Sequence, residues 1–373
     1  MNDEIELMDK KTILILANKQ TTIINFRLEV VAALVEEGYK VYVSLPDGDR
    51  LNEIESIGAE VIRTQFEKNG TNPVEDIKLM LTYKRIIKET KADIVLTYTI
   101  KPNVYGGMAA VLANVPYIAN ITGLGTALEN GGLMQKLTLV LYKIGLKKVS
   151  KVFFQNSSNR QFFEKHRIAL GKHDSLPGSG VNLQKFSLME YPSDKTVEFA
   201  FISRIMKEKG IGEYIEAAKY IYEKYPDTVF HVAGFGNEYY ESKMKELHDE
   251  GIINYHGLLN NVKVLIKDVH CVIHPTFYPE GMSNVLLESA ASGRAIISTN
   301  RPGSREAIDD GINGYLINKQ DSNELIEKVE TFLALSYEEK RQMGLNGRKK
   351  VEREFDRNIV VEKYIESIRN LVG

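Results

Sequence analysis

"VEFAFISRIMKEKGIGEYIEAAKYIYEKYPDTVFHVAGFG", Val197 to Gly236, shows the fold on a small scale. "VEFAFISR" is a short apolar run of strand-forming residues, "GIGEYIEAAKYIYEKYP" takes up helical periodicity, and "TVFHVAGFG" returns to strand. A strand, a crossing helix and a second strand are the repeating unit of a parallel sheet covered on both faces. The same rhythm precedes this stretch. "KTILILAN", "VYVSLPDGD", "AEVIRTQF", "ADIVLTYT", "PYIANIT" and "KVFFQN" read as strands, with helices between them such as "INFRLEVVAALVEEGYK", Pro73 to Thr90 and Asn103 to Leu112. The rhythm also follows it, through "YYESKMKELHDEG", "INYHG", "VHCVIHPT", "AIISTN" and "GYLI". Only the polar segment "NLQKFSLMEYPSDKT", Asn182 to Thr196, breaks the alternation, and it reads as a linker. The expectation is an α/β protein of two doubly wound, Rossmann-like domains in tandem. Such sheets bind ligands beyond the carboxyl ends of their strands.

Length and composition agree with this. The chain has 373 residues, 43% hydrophobic, with 28 glycines and 10 prolines, enough for two cores. A formal charge of −2 supplies no field to draw the whole protein to nucleic acid. Cys271 is the single cysteine, so no internal disulfide forms, as suits a reducing cytoplasm. "MNDEIELMDKK" is polar and acidic, unlike a signal peptide. No run of ~18 apolar residues suggests a membrane span.

A nicotinamide dehydrogenase shares this architecture but requires G-x-G-x-x-G after the first strand. Here that loop is "ANKQTTIINF", without a glycine, and the "GLG" at 123–125 and "GFG" at 234–236 are incomplete and misplaced. "PDGD", Pro46 to Asp49, has the D-x-D spacing of a divalent-metal site and equally that of a tight turn with Gly48 supplying the bend. The turn is the expectation, and no metal is assigned.

Two further stretches carry chemistry. "SRIMKEKG" places Arg204 past a strand end and Lys209 before a helix, a pair suited to diphosphate oxygens and to charge developing on a leaving phosphate, though two basic residues in a loop are more often merely solvated. In "HPTFYPEGMSNVLLESAASG", His274 to Gly293, Gly281 and "MSN" form a helix start with Ser283 or Asn284 as cap. The free N–H groups and dipole of that start attract an anion. Glu280 lies on the approach to it, and Glu288 lies one turn beyond Asn284, ~6 Å along the axis. That spacing suits a grip on two ends of an elongated ligand better than a shared-proton pair. The alternative is a capped surface helix with an incidental acid.

These residues resemble a known family. "PEGMSNVLLESAASGRAIISTNRPGSREAI" resembles the E-x7-E segment of family four retaining glycosyltransferases of the GT-B fold. "FISRIMKEKGIGEYIEA" is similar to their arginine–lysine segment, and "GVNLQKF" to the end of their first domain. The likeness runs over nearly the whole chain. "YTIKPNVYG", "NITGLGTAL", "FFQN" and "LPGSGVNL" are similar to a narrower branch, bacterial transferases that add N-acetylgalactosamine or galactose to undecaprenyl-diphosphate-linked sugars in surface glycan assembly. The resemblance implies that Glu288 accepts hydrogen bonds from the nucleotide ribose and Glu280 faces the donor sugar. It implies that Gly281, Met282 and Ser283 offer backbone N–H groups to the donor, that Asn284 also binds it, and that Arg204 and Lys209 neutralise the departing diphosphate. It further implies a UDP-sugar co-substrate, no cofactor, and a place at the inner face of the cell membrane.

One departure stands out. Many members carry a histidine in the loop written here "NITGLGTA", where this chain has Thr122, Gly123 and Thr126; all seven histidines lie at 166 or later. On the acceptor side, "NKQTTIINFR", with Asn18, Lys19, Asn25 and Arg27, and "TIKPN", with Lys101 and Asn103, are the candidates beside Thr122. Helix-start loops are polar in any case. "GGLMQKLTLVLYKIGLKKVSK", Gly131 to Lys151, holds Lys136, Lys143, Lys147, Lys148 and Lys151 and no acid, with Leu133, Leu137, Val140, Leu141 and Ile144 as an apolar face. It reads either as a helix lying in an anionic membrane interface or as one packed on the sheet with lysines outward.

The expected domains are residues 1–190 for the acceptor, 191–355 for the nucleotide sugar, and a last helix, 356–373, crossing back to the first. A nucleotide-sugar epimerase of the same fold, or a non-catalytic nucleotide-sugar-binding subunit, are the rival functions.

Overall fold

The computed structural model describes residues 10–65, 72–125, 128 and 131–373. It divides into two compact units, Met1–Ser179 with Asn358–Gly373, and Gly180–Arg357. Each unit is an α/β layer structure around one parallel sheet.

In the first unit the strands are β1 (Thr12–Leu16), β2 (Lys40–Leu45), β3 (Glu60–Arg63), β4 (Ile94–Tyr98), β5 (Tyr117–Ile121), β6 (Lys151–Phe154) and β7 (His173–Ser175). Their order is β3-β2-β1-β4-β5-β6-β7, all parallel. The central strands are buried along their whole length, which is why they read as continuous apolar runs instead of alternating ones. The order reverses between β1 and β4, so their carboxyl ends open a crevice.

The second unit holds β8 (Val197–Ile202), β9 (Thr228–Ala233), β10 (Asn254–Tyr255), β11 (Cys271–His274), β12 (Ala295–Thr299) and β13 (Gly314–Ile317). They are ordered β10-β9-β8-β11-β12-β13, again parallel. Here the reversal falls between β8 and β11. The loops that leave those two strands carry Arg204 and Lys209 on one side and Tyr278 and Glu280 on the other.

The division between the units falls at 179/180 and 357/358, not at 190 and 355. The polar look of residues 182–196 conceals their anchors. Phe186 packs in the core of the second unit. The buried Arg294 donates to Glu190 O at 2.7 Å, and Val181 N donates to Phe355 O at 2.8 Å. The helix Arg357–Val372 then lays Val360, Tyr364 and Ile368 into the core of the first unit. Tyr364 packs edge-on against Phe153, 5.2 Å between centroids, and its hydroxyl donates to Asn120 Oδ1.

Two helical stretches differ from the sequence pattern. The helix after β1 is split into Gln20–Ile24 and Leu28–Glu36, because Arg27 between them leaves helical geometry (φ −141°, ψ 3°) and turns inward. The stretch expected as a helix from Asn103 begins as a wide turn, Pro102–Gly106, before the regular helix Gly107–Ala113. It follows Thr99, a β-branched residue held at φ 72°, a conformation such residues rarely adopt.

Candidate functional site

Because the sheet of the second unit reverses between β8 and β11, the loops beyond those strands come together. After β8, Arg204 is exposed, and a short 3-10 turn, Lys207–Lys209, buries Lys209. Beyond β11, Phe277 N donates to Glu208 O at 2.9 Å and Thr276 Oγ1 to the same carbonyl at 3.2 Å, so the loops are bonded to each other. Tyr278 then lies under both cations, with Arg204 Cζ 5.3 Å and Lys209 Nζ 5.1 Å from its ring centroid. A tyrosine face attracts cations and holds them where they are wanted without neutralising them. Lys209 Nζ also pairs with Glu280 Oε1.

Gly210 closes this turn at φ 79°, and a Cβ there would lie 2.2 Å from Pro275 O. Gly210→Ala is therefore expected to cost about 2 kcal/mol or more, read as a lower urea midpoint for the second unit. A midpoint equal to the parent's would show that the loops are not packed this way.

Following Glu280, the chain enters the helix Asn284–Ala291. Ser283 occupies the cap position, yet its side chain makes no capping hydrogen bond, and no acid sits in the first turn. The loop is braced instead from outside: Ser283 N donates to Gly303 O at 2.7 Å, and Gly303 N to Glu306 Oε2 at 2.8 Å. The Ser283 N–H, expected to face the donor, is thus taken by Gly303, while the Ser283 side chain does not cap the helix and the first turn keeps its attraction for an anion. Ser292 and Gly293 (φ 80°) end the helix.

Glu288 sits mid-helix. Solvent still reaches part of its surface, but the packed surroundings push its carboxyl up to about 7, with Arg357 and Lys185 partly opposing the rise. His274, at the end of β11, is fully buried. Burial first, and then the ammonium of Lys209, hold its imidazole well below the ordinary range.

At the reversal point of the first unit, Asn18, Lys101 and Thr122 follow β1, β4 and β5 and are half-buried. Asn18 Oδ1 is buried with no hydrogen-bond partner among the described residues. Lys101 pairs with Asp76 at 3.0 Å, and Asp76 accepts from the Tyr105 hydroxyl at 2.7 Å. Asn25 is exposed and accepts from Arg50 at 3.1 Å.

Arg27 and Asn103 point elsewhere. Arg27 is 2% exposed, with its guanidinium 5.4 Å over the Tyr98 ring. Asn103 is 1% exposed; it accepts from Thr97 Oγ1 at 2.7 Å and donates to Asn120 O at 2.9 Å. Asn103 ties the ends of two strands together, whereas Arg27 lies against Tyr98 with its buried Nε unbonded among the described residues. Thr126 lies outside the described residues. In the 46–49 turn, Asp47 pairs with Arg63 and Asp49 accepts from Gln20, so each aspartate has its own partner.

Tyr278, the Gly303 loop, Lys185 and Arg357 were not singled out by pattern. Tyr278 lies between His274 and Gly293, but nothing in its spacing marks a ring beneath two cations. Lys185 lies in the segment read as linker.

Comparison with known proteins adds to this. Residues 189–350 match the family described as glycosyl transferases group 1, and residues 12–156 that described as glycosyl transferase 4-like. The chain is 25% identical over 370 residues to the Campylobacter jejuni N,N'-diacetylbacillosaminyl-diphospho-undecaprenol alpha-1,3-N-acetylgalactosaminyltransferase, covering 94% of this chain and 96% of that one. It is 25% identical over 275 residues to the Escherichia coli UDP-Gal:alpha-D-GlcNAc-diphosphoundecaprenol alpha-1,3-galactosyltransferase, covering 69% and 70%. Among solved structures, a glycosyltransferase from Rickettsia africae superposes with a TM-score of 0.80 at 19% identity, covering 98% of this chain and 99% of that one. The Anabaena protein HepE in complex with UDP gives 0.79 at 18%, covering 96% and 100%.

Proposed function

For a chain whose two halves match the glycosyl transferases group 1 and glycosyl transferase 4-like families and whose fold is GT-B, we propose that it moves a hexose from a UDP-sugar onto a saccharide carried on a polyprenyl diphosphate. N-acetylgalactosamine or galactose is the favoured sugar, the transfer retains anomeric configuration, and the product enters a surface glycan. The observation that carries this reading is the meeting, at one strand reversal, of Arg204 and Lys209 over the Tyr278 ring, with Glu280, on the approach to a helix start, ion-paired to Lys209. That arrangement suits a sugar joined to a diphosphate. The activities of the two relatives named above support the acceptor and the sugar.

The roles follow from chemistry. As the bond from the anomeric carbon to the diphosphate oxygen breaks, negative charge grows on the diphosphate. Arg204, Lys209 and the helix N–H groups are fixed before that charge appears, so they stabilise it without having to reorganise. Glu280, already bonded to Lys209, accepts from hydroxyls of the donor sugar and so ties its position to that of the phosphates. Glu288 accepts from the ribose. The acceptor hydroxyl attacks from the face the diphosphate leaves, and its proton passes to the departing phosphate oxygen. In this scheme Asn18, Lys101 and Thr122 contact the acceptor, and Arg27 and Asn103 support the loops from below. Two protein cations take the part that a divalent metal plays in other transferases.

A panel of UDP-sugars, each with and without a polyprenyl-diphosphate saccharide, tests the reading. One donor, UDP-N-acetylgalactosamine or UDP-galactose, should be consumed only with acceptor present. Conversion of a donor without acceptor would establish an epimerase, and nucleotide binding with no turnover a binding subunit.

A further inference from the structure

The basic segment 131–151 takes an orientation that its pattern left open. The helix Gly132–Gly145 buries Thr138, Tyr142 and Gly145, and Leu141 also packs inward. Gly145 approaches the wide turn so closely that a Cβ would lie 2.7 Å from Val104 Cα, which fixes the roll of the helix. As a result its apolar residues face water: Leu133 is 84% exposed, Leu137 44%, Val140 52% and Ile144 53%. Soluble helices normally present the opposite face.

The C-terminal end of the helix borders a cleft of about 730 Å³, lined by residues from 143–150 and 167–172. Lys143, Lys147, Lys148, Arg167 and Lys172 line it, none of its lining residues is acidic, and Leu170, 54% exposed, belongs to the same lining. Five cations without an acid are a marked concentration in a chain whose net charge is −2.

We infer that this face docks on an anionic phospholipid bilayer, with the stripe entering the interface and a lipid phosphate in the cleft. An exposed apolar row on a helix whose end borders an acid-free basic cleft matches acyl chains beneath phosphates in chemistry. A second copy of this chain fits worse, since two such faces would set five cations against five. A nucleic acid would leave the apolar row unused. The inference deepens the acceptor reading and rests on it only in placing the chain where a lipid-linked substrate lies.

The test is sedimentation of the full chain with vesicles of phosphatidylcholine alone, or of phosphatidylcholine and phosphatidylglycerol at about two to one. Binding is expected only with phosphatidylglycerol. It should fall roughly a hundredfold in a Lys143→Ala, Lys147→Ala, Lys148→Ala variant, given the attraction each surface lysine contributes. A Leu133→Ser, Val140→Ser, Ile144→Ser variant should be released by modest salt, because only screened charge then holds it. These side chains are exposed, so both variants should melt with the parent.

Equal binding to both vesicles, or lysine variants that bind like the parent, would overturn the inference. So would dimers that dissociate on the leucine, valine and isoleucine changes while vesicles go unbound, or occupation of the cleft by glycerol phosphate with no vesicle binding. Transfer to a water-soluble, short-chain acceptor should be unchanged in the lysine variant. Loss of that activity in the parent would instead count against the transferase reading.

Discussion

Lys209→Ala is expected to lower kcat/KM for sugar transfer roughly 10³-fold, the scale set by removing one pre-placed group that meets charge in a transition state. The same change should also lower stability. The side chains of Lys209 and Glu280 are only 9% and 19% exposed, so the lysine leaves behind a carboxylate mostly cut off from water. Removing one partner of such a pair costs about 3 kcal/mol. Two losses from one substitution would be ambiguous, and a second variant separates them. Lys209→Met with Glu280→Gln removes both charges, and its melting temperature should return towards the parent's while transfer stays low. Recovery of turnover together with stability would show that Lys209 acts through folding. Arg204→Ala, at an exposed position, should leave melting unchanged and still reduce transfer.

Glu288→Gln should make the second unit more stable and its nucleotide site weaker, with both effects set by pH. Desolvation raises the Glu288 carboxyl to about 7 in the folded chain, against an ordinary value near 4.5. Between those values the folded state keeps a proton that the unfolded state has released, so the acid erodes stability as pH rises through the interval. Below it the cost is absent, and above it the cost is complete. A shift of that size has a ceiling of about 3 kcal/mol, reduced to about 1–2 kcal/mol where water still reaches the side chain. The glutamine variant should therefore melt with the parent near pH 4.5 and several degrees higher at pH 8.

Nucleotide affinity should move the other way. A carboxylate accepting from two ribose hydroxyls is worth about 10- to 100-fold over an amide. UDP binding to the parent should therefore strengthen from pH 6 to pH 8, while the variant stays flat. Titration calorimetry at the two pH values reads this directly. Equal affinity in parent and variant at pH 8 would remove the ribose role. A strained or desolvated group kept at a site despite its cost is the usual mark of a stability–function exchange.

The architecture was legible because both sheets are central-stranded and buried on both faces. "TILIL" and "AIIST" have no polar residue facing out, so each reads as a run, and the helices between them carry the other periodicity. Strand order then locates the reversal points, and with them Arg204, Lys209 and Glu280. What could not be read was orientation. Arg27 and Asn103 look like loop residues offered to a ligand, yet one lies over Tyr98 and the other bridges strand ends. A polar residue after a strand serves the site or the scaffold according to a torsion that spacing does not encode. The helix Gly132–Gly145 is the same lesson on a larger scale. Its apolar row is evident from sequence, but which way it faces depends on Gly145 meeting Val104. The unit boundary was misplaced for a related reason: Phe186 and the Arg294–Glu190 contact are single anchors in a stretch whose average composition is polar.

The returning helix Arg357–Val372 sets an order of events during synthesis. Tyr364 fills the gap beside Phe153 and bonds to Asn120, in a core whose other buried members, apart from Val360 and Ile368 of the same helix, come before residue 180. A ribosome making this chain releases every strand of the first sheet long before it releases that tyrosine. The second sheet, from Val197 to Ile317, emerges complete in between. The unit begun first is thus the last to close, and it carries an unfilled seam through the whole emergence of its neighbour.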